Sequence, residues 1–299
     1  MPLHSDGANA AAVTLSFGTS TRWSERLFAA AVWLAAALVA GFFLWIVFDI
    51  VSHGFAKLSW QFLTEAPRSS GRKGGISTIL VSTLLILAVT VAVAVPLGVG
   101  VAVWLSEFSR RSGRTARTIN LALDVLAGIP SIVFGLFGNA FFCVFLGLGF
   151  SILSGGLTLA CMILPVLIRA TELGLSSVSH DWRQGAAALG LTKAAALYHV
   201  LLPAAAPAIT AGLLLGIGRA VAETAALVFT SGYVDRMPET LMDSGRSLAV
   251  HIYDLSMNVS GGDQAAYASA LVLIALLIGI NALAMMLSNR FLKSRIQHA

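Results

Sequence analysis

The stretch that decides the fold covers residues 183–203 and reads RQGAAALGLTKAAALYHVLLP. It is rich in alanine, is interrupted once by Gly190, and leads through Leu-Leu-Pro into a long apolar segment. Alanine and leucine favour helix, whereas glycine suits the position just after a helix ends. The stretch therefore predicts a short helix, a turn and a second short helix directly before a hydrophobic span.

The composition assigns the chain to the membrane. Hydrophobic residues make up 57% of its 299 residues and charged residues 11%, with a mean hydropathy of +0.85. A soluble domain carries about 25% charged residues, and a membrane-spanning helix needs about 20 apolar residues. A turn near 147–151 is expected to divide the longest uncharged stretch. The predicted fold is an all-α polytopic membrane protein with six transmembrane helices, in residues 27–48, 76–106, 125–168 (two spans), 200–218 and 264–289.

Lysine and arginine are unevenly distributed between the two sets of loops. With the N-terminus inside, twelve fall in inner segments: Arg22, Arg26, Arg110, Arg111, Arg114, Arg117, Arg169, Arg183, Lys193, Arg290, Lys293 and Arg295. Six fall in outer loops: Lys57, Arg68, Arg72, Lys73, Arg236 and Arg246. Since cytoplasmic loops carry the excess, both termini are predicted to be cytoplasmic, and the arginines at 110–117 to contact anionic membrane lipid. The pI of about 9.6 then reflects topology, and no nucleic-acid partner is expected.

The remaining features of the sequence predict neither a catalytic site nor a nucleotide-binding site in this chain. Residues 1–25 are predicted to be a disordered cytoplasmic tail and residues 26–295 the membrane domain. A phosphate-binding loop is not predicted, because no lysine directly follows Gly190 in the segment that comes nearest to that motif. No cluster has metal-ligand spacing, and Cys143 and Cys161 are expected to be buried apolar side chains. No catalytic residue, metal or cofactor is therefore predicted here, and any energy from ATP must come from another chain.

The short helices have recognisable start and stop signals. Asp181 is expected to cap the first helix, with Gln184 at the spacing of a capping box. Gly190 suits the position after that helix, and Thr192 is expected to cap the second. Pro203 then opens the next span. Such an elbow is either an amphipathic connector on the membrane or a docking surface for a partner.

The same stretch resembles the cytoplasmic motif of permeases from binding-protein-dependent ABC importers, E-A-A-x3-G-x9-I-x-L-P. The match here reads Q-G-A-x3-G-x9-V-L-L-P. Gln184 keeps the length of glutamate but loses its charge, and Gly185 loosens the helix by up to about 1 kcal/mol. The resemblance implies that a coupling segment, 169–202, contacts a separate ATPase. The residues it assigns to that contact are Asp181, Gln184, Gly185, Ala186, Gly190, Thr192, Leu202 and Pro203.

Further motifs resemble the PstA family of permease subunits of bacterial phosphate importers, in order over residues 74–290. They are GGI at 74–76, PLGV at 96–99, LSEF at 105–108, LAGIPSIVFGLF at 126–137, GGLTLA at 155–160, LPVLIRATE at 164–172 and GIGRAVAETA at 216–225. This resemblance implies the type I ABC importer permease fold and an inner-membrane location. It also implies four partners: inorganic phosphate, a second PstC-like permease, two PstB-like ATPase copies that bind ATP and Mg²⁺, and a periplasmic or lipid-anchored PstS-like phosphate-binding protein.

Arg219 and Glu223 form a charged pair at the end of the fifth span. Their i, i+4 spacing predicts that they share one helix face. An arginine at the centre of a span raises the free energy of membrane insertion by about 2.5–3.5 kcal/mol, so a functional or structural role is expected for it. Either Arg219 faces the translocation path and attracts an oxyanion, or the pair lies at the outer interface as a salt bridge. Thr224 belongs to the same group of pathway candidates.

Two other positions are candidates for moving parts. Pro130 is expected to kink an apolar span, so that Pro130 and Ser131 line the path, or else the kink serves helix packing. Arg169 and Glu172 close the fourth span on the inner side. They are predicted either to anchor that end in the membrane or to form an inner gate.

Two alternatives to a phosphate importer stay open at this stage. The first is a self-sufficient secondary transporter or channel, which an inverted repeat would favour. The second is an ABC permease for another oxyanion, sulfate or molybdate.

Overall fold

The computed structural model describes residues 21–109 and 113–296, and most of them are helical. Residues 1–20 of the predicted tail lie outside the described residues, and the first helix begins at Thr21. The helices are α1 (Thr21–Gly54), α2 (Trp60–Thr64), α3 (Ser77–Val103), α4 (Arg114–Gly128), α5 (Ser131–Gly138), α6 (Ile152–Ser177), α7 (His180–Ala188), α8 (Lys193–Ala196), α9 (Leu202–Val221), α10 (Ala225–Val228), α11 (Leu248–Met257) and α12 (Asp263–Ile296). Helices α3, α5 and α8 continue as π-helical turns at Trp104–Phe108, Asn139–Phe145 and Leu197–Leu201. An antiparallel hairpin, β1 (Pro67–Arg68) and β2 (Lys73–Gly74), follows α2.

The structure confirms a polytopic helical membrane protein. Among the described residues, five segments are long and apolar enough to cross a bilayer: Trp23–Gly54, Ser77–Phe108, Ile152–Ser177, Lys193–Val221 and Asp263–Met286. The shortest has 24 residues, enough to cross an apolar core of about 30 Å. The bent pair α4 and α5 makes the sixth span if its two helices count as one.

The third span differs from its prediction at Pro130. Helix α4 and the helical segment Ser131–Phe145 meet at 106°, so the chain is broken there and the predicted kink within one helix is wrong. Ile129 and Pro130 both have extended backbone, with ψ of 131° and 142°. The reason is steric, since the proline ring disfavours helical backbone in the residue before it.

The predicted turn after this span is present. Gly147 and Gly149 adopt left-handed backbone, with φ of +69° and +61°. Ser151 then caps α6, because its side chain accepts the Ser154 amide at 3.1 Å. These residues account for the reversal of the chain between the third and fourth spans.

Helix α6 forms the centre of the bundle. Residues up to Asp49 form a unit of their own, and the second unit begins at Ile50. Within the second unit α6 packs between α3 and α9, and its Leu159, Ile163 and Leu167 are fully buried. Gly98 of α3 lies against Leu167, as small residues allow between spanning helices.

The loops gather at two ends of the second unit. At one end, which we call the loop end (residues 55–76, 146–152 and 222–262), Ile152 donates its amide to the Asp243 carbonyl at 2.9 Å. At the other, the elbow end (104–109 and 178–201), Arg183 pairs with Glu107. This distribution agrees with the alternation of loops that the span count predicts.

A buried charged cluster holds the loop end together. Arg246 forms an ion pair with Asp254 at 3.0 Å and donates through Nε to the Tyr233 carbonyl at 2.8 Å. His251 lies beside them, fully buried, with its Nδ1 3.4 Å from a guanidinium nitrogen of Arg246. Burial first, and then the positive charge of Arg246, lower the pKa of His251 from 6.5 to about 4, whereas Asp254 acts in the opposite direction.

The stability of the folded chain is expected to fall on acidification from about pH 6.5 to about 4. In that window the unfolded chain binds a proton at residue 251 that the folded chain excludes, so stability is lost as the pH decreases. Thermal unfolding in detergent over this range measures the effect. In the His251→Gln variant the melting temperature should change less with pH over this range. An unchanged pH dependence would assign the acid sensitivity to other groups.

Candidate functional site

The elbow forms the helix–turn–helix that its sequence predicts. Helix α7 ends at Ala188, and Gly190 follows in left-handed backbone with φ of +73°. The Gly190 amide donates to the Ala187 carbonyl and the Leu191 amide to the Ala186 carbonyl, both at 3.0 Å. This pair of bonds is the Schellman arrangement, which satisfies carbonyls at a helix end.

Two details of the elbow were predicted with different success. Thr192 caps α8, as expected, by accepting the Ala195 amide at 3.2 Å. Ser179, rather than Asp181, caps α7, because its side chain accepts the Asp181 amide at 3.3 Å. The predicted capping box of Asp181 with Gln184 is therefore wrong; Asp181 lies in the first turn, where a carboxylate still favours the helix.

The second half of the elbow runs without a break into the fifth span. Residues Lys193–Val221 form one helical segment, with a π-helical turn just before Leu202. The Leu202 amide donates to the Leu197 carbonyl, five residues back. Pro203 has no amide hydrogen to donate, which accounts for the altered hydrogen bonding at this point. Leu202 and Pro203 are half-buried.

One face of the elbow is exposed and apolar. Trp182, Leu189 and Leu191 are 57%, 82% and 40% exposed. The neighbouring coupling candidates Gln184 and Gly185 are also exposed, whereas Ala186 is buried. Aromatic and aliphatic side chains grouped on a surface helix are typical of a docking surface.

The end of the fifth span does not match its prediction. Helix α9 ends at Val221, so Arg219 and Glu223 do not share one helix face. Glu223 is instead 9% exposed, and its Oε1 accepts the Ala226 amide at 3.2 Å, at the start of α10. Arg219 is exposed, and no ion pair joins it to Glu223 in the described part of the chain. A buried carboxylate at this place stabilises free amides of a new helix start.

Glu223→Ala is expected to destabilise the chain by about 1–3 kcal/mol, because the buried Ala226 amide loses a charged acceptor. Glu223→Gln keeps an acceptor oxygen and should retain most of that stability. Thermal unfolding of the purified chain in detergent compares them. Equal melting temperatures for Glu223→Ala and the unchanged chain would contradict this role.

The other pathway candidates lie on neighbouring segments. Helix α5, which begins at Ser131 after Pro130, packs against α10, which begins just after Thr224. Gly135 makes this close approach possible, since a side chain there would collide with the backbone of Ala226. The structure thus brings Ser131's helix and Thr224's helix side by side; their position on a translocation path stays a prediction.

Arg169 and Glu172 are paired at 3.1 Å, but they belong to a larger cluster. Arg169 also contacts Asp124 at 2.7 Å and the Asn120 side-chain oxygen at 2.7 Å, both on α4. Both residues lie within α6, which continues to Ser177, so the elbow proper begins after the predicted start of the coupling segment. The cluster joins the fourth span to the bent third one, and both the membrane anchor and the inner gate stay predictions.

Sequence reasoning also missed a contact at the elbow end. Arg183 was counted only among the loop charges, yet it pairs with Glu107 at 2.8 Å. Nothing in the sequence links these residues, which stand 76 positions apart. As for metals, the described residues contain no group of three or more histidine, cysteine or carboxylate side chains able to bind one.

Comparison with known sequences decides the family. The family described as "Binding-protein-dependent transport system inner membrane component" matches residues 94–297, about two thirds of the chain. The chain belongs to this family. The match covers the elbow, the bent third span and the fifth span, so the segments described above are those that the family shares. The chain is accordingly a multi-pass inner-membrane protein.

Several curated members of the family are similar over most of the chain. A protein of Bacillus subtilis (strain 168), "Probable ABC transporter permease protein YqgI", is 32% identical over 82% of this chain and 88% of its own length. "Phosphate transport system permease protein PstA" of Mycobacterium leprae (strain TN) is 34% identical over 79% of both chains. "Phosphate transport system permease protein PstA 2" of Mycobacterium tuberculosis is 34% identical over 70% of this chain and 69% of its own.

Solved transporter structures share the fold. A chain of a bacterial ABC transporter involved in alginate import aligns over 89% of this chain and 99% of its own, with a TM-score of 0.59 and 15% identity. A chain of the inward-facing MetNI methionine transporter aligns over 74% of this chain and 94% of its own, with a TM-score of 0.51 and 16% identity. These matches confirm the type I ABC importer permease fold.

Proposed function

We propose that this chain is the permease subunit of an ATP-driven phosphate importer. The observation that carries the proposal is the elbow, a short helix with an exposed apolar face held between two spans by Gly190 and Thr192. Family membership supports the import role, and the names of the Mycobacterium relatives support phosphate as the cargo. The chain has a transport role and performs no covalent chemistry.

The partners follow from the same arrangement. One chain provides half of a pathway, so a second, homologous permease completes it. Two ATPase copies bind ATP and Mg²⁺, and one of them contacts the exposed face that includes Trp182 and Leu189. A phosphate-binding protein outside the cell delivers the cargo to the loop end. Both termini and the elbow are then cytoplasmic, as the distribution of lysine and arginine favours.

Movement of the elbow reaches the bundle through packed helices. Helix α7 follows directly on α6, and α8 continues into the fifth span, so a push on the elbow displaces the fourth and fifth spans together. The cluster of Arg169 with Asp124 and Glu172 lies where the fourth span meets the third and opens or closes the inner side. Two packed arrangements of these helices give alternating access.

Arg219 supplies the attraction for an anion on the pathway. Its side chain is exposed on the isolated chain, at the end of α9 remote from the elbow. A guanidinium forms two parallel hydrogen bonds with a phosphate, and a single arginine attracts the anion without trapping it. The Glu223 carboxylate does not neutralise that charge, because it accepts the Ala226 amide at the start of α10 instead.

Competition between oxyanions tests the cargo. The chain is assembled with its candidate partner permease, ATPase and phosphate-binding protein in proteoliposomes containing ATP, and uptake of labelled phosphate is measured. Excess unlabelled phosphate should abolish the signal, whereas sulfate and molybdate should not. Equal competition by sulfate or molybdate would overturn phosphate as the cargo and keep the ABC permease assignment.

A further inference from the structure

Arg183 connects three elements at the elbow end. It lies on α7, and one of its terminal nitrogens donates to the Glu107 carboxylate at 2.8 Å. The same nitrogen donates to the Leu175 carbonyl at 2.9 Å, and the other donates to the Val178 carbonyl at 2.7 Å. Glu107 belongs to the π-helical turn that ends the second span, and the two carbonyls belong to the end of α6.

The chemistry of this contact favours a firm, directional link. The last carbonyls of α6 lack partners within the helix and carry its negative end, so a cation there is stabilising. The side chains of Arg183 and Glu107 are 26% and 18% exposed, so solvent screens their attraction only in part. The planar guanidinium binds a carboxylate and two carbonyls at once, which a lysine ammonium does less well.

Packing around α7 is otherwise sparse. Within this helix Ala186 is its one buried residue, Arg183 is half-buried and the remaining residues are exposed. A cavity of about 320 Å³ opens beside the contact, lined by Ser106, Ser176, Val178, His180 and Arg183. Space on this side means that close packing cannot carry a displacement of α7 into the second span, whereas the ion pair can.

We propose that Arg183 is the positioning residue that couples α7 to the second and fourth spans at the same time. The inference rests on the proposed function, because α7 is the helix that the ATPase moves. Through Glu107 a displacement of α7 pulls the second span, and through the Leu175 and Val178 carbonyls it pulls the fourth. The docking face, with Trp182 and Leu189, is formed by other residues of the elbow, so ATPase binding does not depend on this link.

The test separates coupling from assembly. Glu107→Met, Arg183→Met and the double variant are assembled with the partner permease, ATPase and phosphate-binding protein. Phosphate uptake and ATP hydrolysis are measured in the same proteoliposomes. Each single variant should assemble and hydrolyse ATP, while phosphate transported per ATP falls about tenfold or more, as expected for the loss of a charged hydrogen bond. The double variant should have the same ratio of phosphate to ATP as Arg183→Met, because both substitutions break the same ion pair.

Controls make each outcome decisive. Lys193→Met removes another exposed elbow cation and should leave the ratio unchanged. Arg183→Lys should retain part of the phosphate transport per ATP that Arg183→Met loses. Should Arg183→Met fail to assemble, Glu107→Met still decides, because it removes the acceptor and leaves both carbonyl contacts in place. An unchanged ratio in Glu107→Met, or effects that add in the double variant, would overturn the inference. Failure of the proposed function looks different, since the unchanged complex would then show no ATP-driven phosphate uptake.

Discussion

Gly190→Val is expected to lower ATP-driven phosphate uptake at least about tenfold while the complex still forms in the membrane. Gly190 has a φ of +73°, a conformation that costs other residues about 1–2 kcal/mol and β-branched residues more. Valine therefore opens the Schellman turn formed with Ala186 and Ala187, and α7 loses its fixed angle to α8. Force applied by an ATPase on α7 is then absorbed by the turn.

The Gly190 series has a built-in control. Space around Gly190 is open, so valine causes backbone strain and not a collision. Asparagine tolerates left-handed backbone better than other side chains, so Gly190→Asn should keep most of the uptake. Uptake and ATP hydrolysis measured together give the coupling ratio. Equal ratios for the valine, asparagine and unchanged chains would contradict the role of the elbow as a rigid lever.

Arg219→Ala is expected to reduce phosphate uptake at least about tenfold with assembly intact. The exposed guanidinium makes no ion pair with Glu223, so its removal leaves no buried charge behind. What is lost is a charged hydrogen-bond donor for the passing anion, an interaction worth about 1.5–3 kcal/mol. Arg219→Lys keeps the charge but lacks the paired donors, so its phosphate uptake should lie between those of the unchanged chain and Arg219→Ala.

Leu215→Ala is the matched control for this position. Leu215 lies one helical turn earlier, 68% exposed, so it shares the surface of Arg219 but carries no charge. Yield of the purified complex monitors assembly, and uptake monitors function. Loss of assembly in Arg219→Ala would assign Arg219 a structural role instead, and equal uptake defects in both variants would show that the charge is not what matters.

Local signals in the sequence predict much of this fold. Long uncharged stretches identify the spanning helices, because each must bury about 20 apolar residues. Gly190 and Thr192 were placed correctly, since a left-handed turn and a helix cap depend on one residue and its near neighbours. The reversal at Gly147 and Gly149 was foreseen for the same reason.

Other features depend on contacts that the sequence does not contain. Pro130 disfavours helical backbone at Ile129 for steric reasons, but whether this kinks or breaks the span is decided by which neighbours satisfy the freed backbone groups. No glycine or proline marks the end of α9, so the periodicity suggested that Glu223 continued it. Arg183 with Glu107 and Arg169 with Asp124 meet only through folding, across 76 and 45 positions.

The most direct measurement of the central claim is phosphate uptake by this chain and its partner permease with and without the ATPase. Proteoliposomes carry the phosphate-binding protein outside and ATP inside, and labelled phosphate is counted over time. The account predicts uptake only when the ATPase is present and can hydrolyse ATP. Equal uptake without the ATPase would contradict it and would make the chain an ATP-independent transporter.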